Sequence, residues 1–294
     1  MTIASTTGAV GANSAASAGV KGLGAPVALV RRGLVYLLLS LAAFISVFPF
    51  FWMIVGTTNR SADIIRGKAS FGNEFFNNAA TFFSQVDAPR IFFNSAFIAI
   101  VATVFTLAIS SLAGYGFEMF KSRFRERLFG LLLLLLSIPF AAMMVPLFVM
   151  FSSAKLVNTV PAVILPSIAS IFIIFYFRQA TKAFPSELRD AAKIDGLKEW
   201  QIFLYVYVPV MRSTYAAATI IVFMANWNNF LWPLIVLQTA ENKTITLIIS
   251  ALTSAYTPDF GMILFGTVLA TLPTLIIFFL LQRRFVEGML GAVK

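Results

Sequence analysis

The chain has 294 residues, 59% of them hydrophobic and only 12% charged, with a mean hydropathy of +0.88. Soluble domains are about 45–50% apolar and about 25% charged, so this excess excludes a water-soluble globule and places the chain among polytopic helical membrane proteins. With no His and no Cys, haem, iron–sulfur, thiolate, Ser-His and HExxH zinc chemistry are all excluded.

The first 30 residues are dominated by Ala, Gly, Ser and Thr and predict a disordered cytoplasmic tail. The charged-then-apolar pattern begins at Arg31, and the apolar run behind it is long enough to span. It therefore predicts an uncleaved signal anchor rather than a cleavable signal peptide. Residues 31–294 are expected to form one six-span helical domain. Six stretches free of Asp, Glu, Lys and Arg predict membrane-spanning helices over about 34–55, 92–115, 128–150, 160–178, 213–234 and 262–282. Helices are expected because the alternating pattern of a membrane barrel is absent. Pro139, Pro146, Pro166 and Pro273 lie in or beside these spans and predict bends.

The net charge of +10 could suit a nucleic-acid binder, but its distribution argues against one. Sixteen of the 22 Lys and Arg residues fall on one side of this six-span arrangement and six on the other. The positive-inside rule then places both termini in the cytoplasm. The outward segments 56–90 and 235–261 are left as surfaces for a soluble partner.

The loop at 179–211 differs from the others. Glu187, Arg189, Asp190, Lys193, Asp195, Lys198 and Glu199 interleave with apolar residues at helical spacing. Pro185-Ser186-Glu187 predicts a helix start with Ser186 as cap, and Gly196 predicts its left-handed end. A second helix is expected over Lys198 to Tyr207, leading to Pro209. These residues fit two readings: a knob for a groove on a soluble partner, or a helix pair lying on lipid headgroups.

Asp190-Ala191-Ala192, Asp195-Gly196 and Val206-Tyr207-Val208-Pro209 carry the spacing of the cytoplasmic EAA loop. In this they resemble the binding-protein-dependent ABC importer permeases. Asp190 replaces the usual Glu, and Val206 and Val208 replace Ile and Leu. Trp227 to Leu234, Ala255 to Gly261 and Gln282 to Gly288 resemble the MalG-like carbohydrate permeases, including lactose-type systems. The resemblance implies an inner-membrane subunit forming half of a translocation pore. It implies partners as well: a second permease, two copies of a P-loop ATPase and an extracytoplasmic sugar-binding protein. The coupling surface it implies is Glu187, Asp190, Ala191, Ala192, Asp195, Gly196 and Pro209.

No phosphate-binding GxxxxGK[ST] loop occurs, so ATP and Mg are expected on the partner, with no cofactor and no catalysis on this chain. Apart from Arg178 at the very end of 160–178, no Asp, Glu, Lys or Arg lies inside the expected spans, which disfavours an ion-driven carrier. Asn226, Asn228 and Asn229 beside Trp227 and Trp232 form the densest polar group in a span. Amides that bond hydroxyls and rings that stack on sugars make them a candidate substrate path. Interhelical bonding and interfacial anchoring are the structural alternative for the same residues. The rival functions are an ATP-independent carrier or a membrane scaffold, with an intramembrane enzyme as a third.

Overall fold

The computed structural model describes residues 24–291, and every regular element in that stretch is a helix. Hydrocarbon offers no partner to a free amide, so apolar segments must close their backbone hydrogen bonds internally. The chain divides into two compact units, residues 1–53 and 54–294. In the first, the described part is helix α1 (Gly24–Gly56) up to Met53. Its large apolar residues from Leu34 to Phe51 are exposed, and Phe44, Phe48 and Trp52 follow one another at ring separations of 5.7 and 6.4 Å. Residues 24–30 of the expected tail belong to this helix, and residues 1–23 lie outside the described residues.

The second unit continues with α2 (Ser61–Ile65), α3 (Phe75–Gln85), α4 (Ala88–Met119), α5 (Arg123–Leu135), α6 (Phe140–Ser153), α7 (Val160–Ile164) and α8 (Ile171–Thr181). After these come α9 (Ser186–Ile194), α10 (Glu199–Ile202), α11 (Val208–Val210), α12 (Arg212–Trp227), α13 (Leu231–Val236), α14 (Ile245–Thr253) and α15 (Phe260–Gly291). Among the described residues four segments are long and apolar enough to cross a membrane: Arg32–Gly56, Ala88–Met119, Arg212–Val236 and Phe260–Arg283.

The expectation of six simple spans needs correction at two places. The expected span 128–150 is two helices, α5 and α6, bent by 100° at a short break. Pro139 supplies the physical cause, because it has no N–H and disfavours helical geometry in the residue before it. The expected span 160–178 is the short helix α7, an irregular turn through Pro166, and α8. The expected span 213–234 lies within the apolar segment Arg212–Val236, whose helix is interrupted over Asn228 to Phe230.

Helix α4 organises the second unit, with α8 and α12 packed against it. Its buried face carries the small residues Ala99, Ala102, Thr103, Thr106, Ser110 and Gly114, which let backbones approach closely in lipid. At Gly114 an added Cβ would stand 2.7 Å from Phe177 Cβ and 2.8 Å from the Arg178 amide nitrogen. One apolar cluster joins α3, α4, α12 and α15 through Phe82, Ile91, Phe223, Trp227 and Phe265. A second centres on Ile98, Phe151, Val163, Trp232 and Leu247.

The segments expected to face outward are also organised. Asn78 Nδ2 donates to the carbonyls of Thr57 at 2.8 Å and Asn59 at 3.0 Å. Asp259 Oδ1 accepts from Ser61 Oγ at 2.9 Å and from the Gly261 and Met262 amides at the start of α15. Asn158, at φ 64°, takes the Gln238 and Thr239 amides on its side-chain oxygen at 3.0 and 3.2 Å.

Candidate functional site

Two places gather the candidate residues: the loop 179–211 and the breaks in the helices flanking α4. In the loop, Pro185 is extended and occupies the cap position of α9, so Ser186 is the first helical residue and makes no capping bond. This corrects the expected cap. Glu187 sits in the first turn and Lys193 in the last, each placed favourably for the helix dipole.

The helix ends as its sequence requires. Gly196 has φ +81°, its amide donates to the Lys193 carbonyl at 3.0 Å, and the Leu197 amide donates to the Ala192 carbonyl at 3.0 Å. Together these bonds form a Schellman motif, which satisfies carbonyls that the helix end would leave free. The expected second helix, Lys198 to Tyr207, is instead α10 followed by a π-helical turn over Phe203–Tyr207. Pro209 has no N–H to give the Tyr205 carbonyl, so the backbone widens and the Val208 amide reaches back to the Phe203 carbonyl.

Glu199 fastens the two short helices to each other and to α4. Its carboxylate receives Arg189 on both oxygens, at 2.6 and 3.3 Å, Lys193 at 2.9 Å and the Tyr115 hydroxyl at 3.3 Å. Burial alone would raise its pKa, but the hydrogen bonds from Arg189 and Lys193 outweigh burial and hold the carboxyl below its ordinary value. Arg189 also lies over the Phe120 ring, 4.9 Å from its centroid. A second fastening is Tyr207, which is fully buried. Its hydroxyl is 2.6 Å from Thr181 Oγ1, and its ring packs on Tyr115 at 4.8 Å and Phe184 at 5.3 Å. Burial pushes its phenol well above the ordinary value.

Of the expected coupling residues, Glu187, Asp190, Ala191, Asp195, Gly196 and Pro209 are exposed. Ala192 is buried, so its side chain offers little surface of its own. The sequence reading missed the apolar residues beside them: Ile194 is 87% exposed and Trp200 56%.

The second place is a cavity of about 330 Å³ between α4, the α7–α8 turn and the α12–α13 break. Thr106, Ser167, Ser170, Asn226 and Asn229 are its polar lining, with Trp232 and Phe172 among its apolar walls. Asn228 is exposed, and its amide donates to the Met224 carbonyl at 2.9 Å. Trp227 is corrected from the expected sugar-stacking role, because it is buried against Phe92 and Phe223.

Each indole N–H serves a carbonyl near a proline. Pro166 cannot donate to the carbonyl four residues earlier, and that carbonyl, Ala162, accepts from Trp232 Nε1 at 2.8 Å. Ala270, three residues before Pro273, accepts from Trp227 Nε1 at 3.0 Å. The carbonyl of Asn229, four residues before Pro233, accepts from Thr246 Oγ1 at 3.0 Å. Irregular backbone at membrane depth is tolerated where it is satisfied in this way and lines a cavity.

Comparison with known proteins agrees with this arrangement. The family model described as binding-protein-dependent transport system inner membrane component matches residues 107–291. The lactose transport system permease protein LacG of Rhizobium radiobacter is 65% identical over 259 residues, covering 88% of this chain and 95% of that one. The arabinooligosaccharides transport system permease protein AraQ of Bacillus subtilis (strain 168) is 35% identical over 273 residues, covering 89% and 94%. Among solved structures, a bacterial ABC transporter involved in the import of the acidic polysaccharide alginate matches with a TM-score of 0.76 at 16% identity, covering 87% of this chain and 96% of that one.

Proposed function

This chain belongs to the binding-protein-dependent transport system inner membrane components, and on that premise we propose that it is the permease subunit of an ATP-driven carbohydrate importer. It forms half of the translocation pore with a second permease, over two copies of a P-loop ATPase, and receives substrate from an extracytoplasmic binding protein. The substrate class follows the lactose and arabinooligosaccharide permeases that the chain resembles. Both termini and the loop 179–211 face the cytoplasm, as the charge asymmetry requires.

The observation that carries this reading is the construction of the loop. Helices α9 and α10 present Asp190, Ala191, Asp195 and Gly196 outward, while Glu199 and Tyr207 tie them to α4 and α8. A helix pair that only rested on headgroups would gain nothing from such bracing. A pair that transmits force needs it, because a push on α9 then moves α4 and α8 instead of folding the loop. Closure of the ATPases would shift this loop and switch the cavity between inward and outward access.

The cavity supplies the substrate path, with Asn226 and Asn229 placed to bond hydroxyls. Its lining includes no Asp, Glu, Lys or Arg, which supports an energy source outside the bundle over ion coupling. On this reading ATP and Mg are held and turned over by the partner ATPase, and this chain acts as its transport subunit.

The test is co-purification from native membranes in mild detergent, with an ATPase assay on the recovered complex. A P-loop ATPase and a second permease should accompany the wild-type chain, and Gly196→Val at equal membrane abundance should lose the ATPase. Transport by the isolated chain in ATP-free vesicles would overturn the proposal.

A further inference from the structure

A basic pocket of about 710 Å³ opens where α4 turns into α5, beside the end of α8. Five cations line it, Lys121, Arg123, Arg127, Arg178 and Lys182, against two carboxylates, Glu118 and Glu126. Both carboxylates are already engaged. Glu118 takes Lys121 at 2.8 Å and Arg178 at 3.3 Å, and Glu126 takes Arg178 at 2.5 Å. Arg178 is held further over the Phe129 ring, 4.0 Å from its centroid. Among the described residues Arg123, Arg127 and Lys182 form no ion pair, and all three are exposed. The pocket therefore has a fixed floor and, at its mouth, three positive charges outside any ion pair, of which Lys182 acts only at longer range on Glu126.

We propose that this pocket binds the phosphate of an anionic phospholipid headgroup. Its position at the end of α4, a membrane-crossing segment, puts it at the depth of lipid phosphates. The surface leading away from it suits an acyl chain. Arg123 and Arg127 lie one turn apart on α5, and the next turns of that face are Gly130, Leu131 and Leu134. Leu131 is 54% and Leu134 70% exposed, and nothing stands within 4 Å of a Cβ added at Gly130. Charge followed by an open apolar track matches a lipid, whereas a free phosphate would use only the charged end. This inference needs only a membrane-embedded chain and does not depend on which substrate is carried.

The purified complex, stripped of lipid in detergent, would be titrated with a fluorescent short-chain phosphatidylglycerol and with the matching phosphatidylcholine. Phosphatidylglycerol should bind at least about tenfold more tightly, and Arg123→Gln, Arg127→Gln and Lys182→Gln should each cost about fivefold of that preference. Arg66→Gln, outside this pocket, should change nothing. Leu134→Asn should weaken lipid binding while sparing binding of glycerophosphoglycerol. Should any one of these single variants fail to assemble, the other two carry the same test. An unchanged preference in these variants would overturn the proposal, and so would displacement of the lipid by inorganic phosphate as effective as that by its own headgroup.

Discussion

Trp232 shows how one side chain can make a broken helix tolerable in lipid. Pro166 leaves the Ala162 carbonyl without its helical donor, and the indole of Trp232, 70 residues away, supplies one at 2.8 Å. Trp232→Phe keeps most of the ring packing against Phe151 and removes only the donor. It should cost about 1 kcal/mol, visible as a lower midpoint in thermal unfolding of the detergent-solubilised complex. Trp232→Tyr, which cannot place a donor at the indole position, should not restore it. Gly114 illustrates a different constraint, because the atoms facing its missing Cβ include backbone of α8. Gly114→Ala should separate α4 from α8 and destabilise by about 1–3 kcal/mol, with the loss appearing in the same melt. Gly116, where nothing lies within 4 Å of an added Cβ, provides the control: Gly116→Ala should be neutral or slightly stabilising, since alanine is the better helix former.

At the scale of elements, the bracing of α9 and α10 should weaken in acid. The Glu199 pKa is lowered in the folded chain, so its contribution is complete above the unfolded value, about 4.3, and is lost as pH falls through the folded value. Hydrogen exchange across residues 186–202, corrected for intrinsic rates, should accelerate in that acidic window and stay flat above it. In Glu199→Gln the exchange should be raised at neutral pH and lose its acidic step. Because the pair with Arg189 is partly exposed, the effect will be modest and will shrink with added salt.

The same elements explain what was legible in the sequence. The glycine stop at Gly196 and the amphipathic α9 follow from local chemistry, and local chemistry can be read from residue order. The π-helical turn is also local, but it depends on how the chain recovers from Pro209 rather than on propensity. The buried position of Ala192 and the structural use of Trp227 were not legible. The use of Trp227 is decided by a neighbour far along the chain, Ala270, and a Trp-Asn cluster looks the same whether its ring meets a sugar or a carbonyl.

For the whole molecule, hydropathy located the apolar mass well but could not decide which runs would be continuous. A proline inside a span can kink it, as Pro273 stands within the continuous α15, or end it, as Pro139 does before α6. The outcome depends on whether another helix can satisfy the freed carbonyls. The proposed topology sets the braced loop and the segment before α15 as two surfaces on opposite sides of the membrane. The absence of native cysteine makes this testable without background. Ile194→Cys and Tyr256→Cys place single thiols at two highly exposed positions, 87% and 102%. In intact cells a membrane-impermeant maleimide should label Tyr256→Cys and leave Ile194→Cys untouched, and in inverted vesicles the pattern should reverse. Labelling of Ile194→Cys in intact cells would place the loop outside, where no ATPase could reach it, and would remove the mechanism at its first step. Protection of Ile194→Cys in inverted vesicles when the ATPase is present, and its loss after the ATPase is stripped away, would place the partner on the face that α9 presents.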